Sequence, residues 1–362
     1  MRVLAICETL DFQNFTRRFT IEALARIHNE TTALCHTHFK NCLRVNLYSA
    51  FLKVKCYYGF IPFNKKSSFL RKLETYINFR WRSYFDLYDI VFISSPNQNY
   101  LLDFIGSEKK VIYLISDPYC LMGYSKVKEK EILKRADLIL ATSLNLAHNY
   151  LPKYYGYKPS APVIYWPNCA DVNIWKPEKF TKHNTTPIIG FAGNLMKIVD
   201  LHLLEKVVTA FQDCVIVVAG KVANWESEYG LLLKRIFSHK NVEYKGFIPF
   251  EDLPKEVNGW DVCLMLDDTS ELSSYHHHNK LYQYLALGKP VVIQRNHNDY
   301  DSLGDLIYIS EDHTQFVNNV GKALKETQDN ELFNKRVKLA KENSADVRAK
   351  QLMNEIMNLY AV

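Results

Sequence analysis

Residues 273–292 read SSYHHHNKLYQYLALGKPVV, and the second half of this stretch decides the fold. Leu281, Tyr284, Leu285 and Leu287 recur at helical spacing, which predicts a helix over 278–287 with that face packed inward. Gly288 is suited to end it, and Pro290 opens an apolar strand, 290–294. A short helix delivered straight into a buried strand is one step of an α/β layer. The three histidines before it supply no zinc geometry. Adjacent residues on a helix point about 100° apart, and no cysteine or carboxylate stands nearby at a spacing that completes a metal site. His276–His278 therefore read as a polar loop ahead of the helix, and no metal is expected.

Outward from this stretch the same alternation repeats. In the first half the expected strands are 2–7, 89–94, 110–115, 137–142 and 162–166, with helices over 16–28, 65–85 and 125–136. A polar, proline-punctuated connection, 168–187, follows. The second series has strands 188–192, 214–219, 241–246, 261–266, 290–294 and 306–309, with helices near 200–211, 225–238, 251–258, 278–287 and 313–327. The tail, 331–362, reads as helical. The expected class is α/β, with two Rossmann-like doubly wound domains facing an interdomain cleft, over 1–175 and 186–344. The C-terminal helix, about 345–362, is expected to pack back on the first domain.

A chain of 362 residues, 48% hydrophobic and 23% charged, has ample material for two cores. The eight cysteines are scattered without a C-x-x-C pair, which fits reduced thiols rather than a disulfide framework. The apolar run in MRVLAICETL is too short for a signal peptide, and no window approaches a membrane span. A cytoplasmic protein is expected, peripheral on the cytoplasmic face of a membrane. Between Lys40 and Phe85 ten basic residues face one acid, Glu74, with aromatics interleaved. That balance suits a solvated helix face, or an anionic lipid surface or an anionic, lipid-linked substrate. Nucleic acid is not expected, because no nucleic-acid motif accompanies the charge.

Ligands of open α/β sheets bind at the carboxyl ends of strands. No G-x-G-x-x-G follows any of the strands and no P-loop is present, which removes support for hydride transfer and P-loop NTPase chemistry. The N-terminus of the 278–287 helix is the better candidate. Its unpaired N–H groups suit a phosphate. Lys280 adds a charge-assisted contact, and Gln283, one turn on, can reach hydroxyls.

The chain also resembles a known family in the order of its motifs. NKLYQYLALGKPVV, preceded by NVEYKGFIPFEDLPKEVNGWDVCLML (241–266), looks like the donor-site region of the GT-B glycosyltransferases. IIGFAGNLMK (188–197) resembles the strand and loop that open their nucleotide-sugar domain. SDPYCLMGYSKVKEKEILKRADLILATS (116–143) and NCADVNIWKP (168–177) fall in family order, so the resemblance covers roughly 88–295. The large retaining branch carries an E-x7-E pair here. This chain has Tyr275 and Gln283 instead, which brings it nearer to the inverting glucuronosyltransferases of xanthan-type exopolysaccharide assembly.

The resemblance implies a UDP-sugar donor, a lipid-linked or surface-polysaccharide acceptor, and no cofactor or metal. Lys280 would hold the donor diphosphate and Gln283 would contact the donor. Asn279, Gly193, Asn194, Lys197, Phe247, Ile248, His278 and Tyr282 complete the donor-binding candidates, with Phe247 and Ile248 near the nucleobase. Asp117, at the end of a buried strand and aimed by Pro118, would be the general base. Glu8 and Asp11 are weaker candidates for that role. Asp299-Tyr300-Asp301 is a D-x-D of the kind that binds metal in the other glycosyltransferase fold, but it stands in the wrong kind of domain. The same architecture also serves nucleotide-sugar epimerases, and a non-catalytic glycan- or partner-binding module is a further alternative.

Overall fold

The computed structural model describes residues 1–7, 18–28, 30–38, 49, 51–59, 68–79, 83–156, 158–177, 185–326 and 330–361. The first half runs β1 (Val3–Cys7), α1 (Arg18–Ile27), β2 (Thr31–His38), β3 (Lys53–Gly59), α2 (Ser68–Phe79), α3 (Ser83–Asp86) and β4 (Ile90–Ile93). It continues with β5 (Lys110–Ile115), α4 (Lys126–Arg135), β6 (Leu138–Ala141), α5 (Leu151–Tyr155) and β7 (Val163–Tyr165). The second half runs β8 (Ile188–Ala192), α6 (Leu201–Ala210), β9 (Val215–Ala219), α7 (Glu228–Phe237), β10 (Val242–Gly246), α8 (Leu253–Asn258) and β11 (Val262–Met265). It ends with α9 (Asn279–Ala286), β12 (Val291–Gln294), β13 (Tyr308–Ser310), α10 (His313–Glu326), α11 (Asn330–Glu342) and α12 (Ala345–Ala361).

These elements form two compact units. One comprises residues 1–167, 275–277 and 345–362, and the other 168–274 and 278–344. The first unit holds a parallel sheet in the order β3-β2-β1-β4-β5-β6-β7. Its central strands read VLAIC and IVFI and are buried along their whole length, as a sheet covered on both faces requires. Helix α12 packs on α1, where the Arg26 guanidinium meets Asp346 at 2.7 Å. Ala349, Leu352 and Ile356 of α12 are buried.

The second unit holds a parallel sheet in the order β10-β9-β8-β11-β12-β13. Leu281, Tyr284, Leu285 and Leu287 join a core with Met265 and Ile293 on one face, each side chain stabilising the fold by about 1.5–3 kcal/mol on full burial. Leu203, Val207 and Phe316 pack with Leu264 and Val292 on the other. Gly288 ends α9 at φ 72°, where an added Cβ would fall 2.2 Å from the Phe333 ring. Glycine is required there by backbone and by packing.

Both sheets reverse their winding between the first and fourth strand, at β1/β4 and at β8/β11, and the crevice outside the carboxyl ends of those strands is where such sheets bind ligands. One expectation is corrected. TTALCHTH and KVKCYYG form β2 and β3, strands hidden from periodicity by their threonine, histidine and lysine content. The tail is helical as expected, formed by α11 and α12 and divided near Asn343 and Ser344. The histidine run is a loop directly ahead of α9, as expected, with His276 and His277 buried at 9% and 5% exposure. Glu8 and Asp11, with Lys40, Arg44, Lys65, Lys66, Arg80 and Arg82 of the basic stretch, lie outside the described residues. No helix among the described residues is long and apolar enough to cross a membrane.

Candidate functional site

The carboxyl edge of the second sheet is built around glycine. The chain leaves β8 at Gly193, whose N–H donates to the Ala219 carbonyl at 2.9 Å. Gly220, next after β9, has φ 152°, and a Cβ there would fall 1.8 Å from the Gly193 carbonyl oxygen. The Gly220 N–H in turn donates to the Gly246 carbonyl at 2.7 Å. Three neighbouring strands therefore end without side chains, so backbone stands at this edge where side chains would otherwise cover it.

Lys280 reaches this edge from the first turn of α9. A methyl on Gly193 would lie 3.4 Å from its Nζ, and Nζ also stands 4.6 Å from the centre of the Phe191 ring. Desolvation draws the pKa of this half-buried lysine below its ordinary value, against an upward pull from Asp267. A desolvated cation over an aromatic face gains most from an anion brought to it. His278 occupies the N-cap of α9, but its side chain makes no capping hydrogen bond. Instead its Nε2 meets the buried Asp267 carboxylate at 2.9 Å. The leading N–H groups of α9 are therefore uncapped by that side chain, an arrangement that favours an anion.

In the first unit, Asp117 follows β5. The Ser116 hydroxyl donates to its Oδ2 at 2.6 Å, and the Thr142 hydroxyl holds the Ser116 carbonyl at 3.1 Å. His276 Nε2 lies 3.3 Å from Oδ1, with the aspartate side chain about a third exposed and the imidazole largely covered. The segment 275–277 that supplies this histidine is anchored by its neighbour. Tyr275 is buried in the core of this unit, edge-on to Tyr150, and its carbonyl accepts from Ser143 Oγ at 2.8 Å.

The other residues expected at the site fall into three groups. Asn279 opens α9 beside Lys280, while Asn194 and Lys197 are exposed on the loop after β8. Phe247 is 54% exposed after Gly246, with the Lys221 ammonium 4.1 Å from its ring centre. Ile248 and Tyr282 belong with the core, and Gln283 is buried on α9. Asp267 and His276 were not among the candidates, since nothing local in the sequence links either to its partner. Of the D-x-D pair, Asp301 is tied to Arg295 at 2.5 Å and Asp299 is buried beside His297, so both carboxylates serve local structure.

Comparison with known proteins fits this geometry. Residues 201–354 match the profile of the glycosyl transferase-like family. HepE of Anabaena, solved in complex with UDP, superposes with a TM-score of 0.73 at 13% identity over 99% of this chain and 100% of that one. Sucrose-phosphate synthase of Thermosynechococcus elongatus gives a TM-score of 0.75 at 14% identity over 100% of both chains. The fold is that of the GT-B glycosyltransferases. The lipopolysaccharide outer core galactosyltransferase WaaB, in its apo form, shares this GT-B fold with a TM-score of 0.65 at 13% identity over 99% of both chains. No curated protein matches the chain by sequence.

Proposed function

We propose that this GT-B chain transfers a sugar from a UDP-sugar to a hydroxyl of a lipid-linked or surface-polysaccharide acceptor, with inversion. The observation that carries the reading is Lys280, a desolvated ammonium at the N-terminal turn of α9, against the glycine edge of β8. The solved neighbour in complex with UDP supports the choice of nucleotide. In this reading Lys280, the α9 N–H groups and the backbone at Gly193 bind the diphosphate, with Asn279, Asn194, Lys197 and His278 around it. They stabilise the charge that develops as the diphosphate leaves, and the transfer uses neither cofactor nor metal. Phe247 offers its exposed face to the base.

Asp117 takes the proton of the acceptor hydroxyl as that oxygen attacks the anomeric carbon. The bond from that carbon to the diphosphate oxygen breaks, its electron pair leaves with UDP, and the single displacement inverts the centre. Tyr275 and Gln283, where the retaining branch has acids, agree with inversion.

The acceptor is placed at the cytoplasmic face of a membrane. Phe69, Leu73 and Ile77 of α2 follow one another at four-residue spacing and are exposed, within the basic stretch Lys40–Phe85. An apolar helix stripe among cations suits an anionic lipid surface. Calorimetric titration with UDP tests the donor side: native protein binds, and Lys280→Ala loses at least about tenfold in affinity, the worth of one charge-assisted contact. UDP release from UDP-sugars tests the base, with Asp117→Asn expected to lose about 100-fold or more. Unchanged affinity in the first variant or unchanged turnover in the second overturns the corresponding assignment.

A further inference from the structure

The proposed base is held on both of its oxygens. Ser116 donates to Asp117 Oδ2 from the adjacent residue, a contact any serine before an aspartate can make. His276 is different, because it comes from a segment remote in sequence and has to be brought to Oδ1. The chain enters the first unit for residues 275–277 only and then returns to the second. The segment is anchored at its first residue by the buried Tyr275 ring, set edge-on to Tyr150 and Tyr154, and by the Ser143 hydrogen bond to its carbonyl. A polar imidazole at 9% exposure costs folding energy unless it is hydrogen-bonded. The anchored excursion brings an imidazole to the reacting group, the His276 contact to Asp117.

We propose that His276 is the positioning residue of the Asp117 base. Its Nε2–H donates to Oδ1 while Ser116 holds Oδ2, so the carboxylate plane is set from two sides and the exposed lone pair is aimed at the acceptor hydroxyl. The proton itself passes from acceptor oxygen to carboxylate, and His276 neither gains nor loses one. Misplacing a reacting group by about 1 Å costs on the order of 100-fold in rate, so the contact is kinetically significant although the imidazole touches no substrate. This inference rests on Asp117 being the base of the transfer reaction.

The test compares His276→Ala, His276→Gln and Asp117→Asn in the full chain. UDP release is followed from UDP-glucose, UDP-galactose, UDP-N-acetylglucosamine and UDP-glucuronate, with water in the acceptor's place. His276→Ala is expected to lower kcat about 10- to 100-fold, leaving KM for the UDP-sugar and the affinity for UDP within about twofold. His276→Gln, whose amide N–H can reach the same oxygen, is expected to recover most of that loss. In 15N spectra of histidine-labelled protein, the His276 Nε2–H resonance is expected to move in Asp117→Asn. A glutamine variant as impaired as the alanine variant, an alanine variant at native kcat, or an unmoved resonance overturns the assignment. If Asp117→Asn turns over normally, the base assignment falls and the role of His276 with it. If native protein releases UDP from none of the four donors, the transfer reading fails first.

Discussion

Gly193→Ala separates the stability of the second unit from its proposed ligand site. Gly193 lies outside the positive-φ glycines, so alanine adds no backbone strain there. The chain entropy removed from the unfolded state favours alanine by about 0.4–1 kcal/mol. Against this, the new methyl would lie 3.3 Å from Phe191 Cζ, which asks the ring edge to give by a few tenths of an ångström, and 3.4 Å from Lys280 Nζ, at the limit of ordinary contact. The two effects nearly cancel, so the unfolding free energy should stay within about 1 kcal/mol of native. Ligand affinity should not stay constant. The methyl occupies the space between the strand-end backbone and the ammonium, and the loss of one charge-assisted hydrogen bond, about 1.5–3 kcal/mol, is roughly 10- to 150-fold in Kd. Calorimetric titration with UDP reads the affinity, and urea unfolding reads the stability. A variant of native stability that binds UDP within threefold of native refutes the diphosphate placement. A loss of stability beyond about 2 kcal/mol refutes the packing argument itself.

Lys280→Met removes a cation that the fold desolvates, so it should raise the melting temperature of the free protein while reducing the further rise caused by UDP, measured by thermal shift. Gly220→Ala places its Cβ 1.8 Å from the backbone oxygen of Gly193, where nothing can yield. It should cost about 3 kcal/mol or more in urea unfolding, unlike Gly193→Ala. Glu129, fully buried, accepts from Tyr113 at 3.0 Å, Tyr150 at 3.0 Å and Tyr155 at 2.5 Å. Glu129→Ala should therefore cost about 3 kcal/mol or more by orphaning the buried hydroxyls of Tyr113 and Tyr150 and the half-buried one of Tyr155. Burial raises the Glu129 pKa, against the pull of those hydroxyls. The native state thus holds a proton where the unfolded chain has lost it, and this group's contribution to stability rises as pH falls through its native pKa and levels off below the unfolded value. Glu129→Gln should flatten that part of the stability–pH curve, which denaturation at several pH values can measure.

Helix α9 and the strand after it were legible because their signals are local. Leu281, Tyr284, Leu285 and Leu287 set a helical period, and Gly288 and Pro290 punctuate its end. The continuous apolar runs of β1, β4, β5, β8 and β9 were legible for the same reason, since a strand buried on both faces is apolar throughout. β2 and β3 were not. Thr31, Thr32, His36, Lys53 and Lys55 break the apolar pattern, and only pairing in register, such as Leu34 with Lys55, reveals the strands. Lys280 was legible as a cation at a helix start, but the Phe191 ring beneath its ammonium and the Asp267 carboxylate that attracts it come from other segments of the chain.

The histidine run marks the boundary most clearly. By itself the sequence determined that a helix begins just after these residues, because helical period is a property of neighbouring residues. Only the tertiary structure decided that Tyr275 enters the core of the first unit, that His276 meets Asp117 and that His278 meets Asp267. Each of those contacts joins segments far apart in the chain. Their geometry depends on where whole strands and helices pack, and no local pattern of residues encodes it.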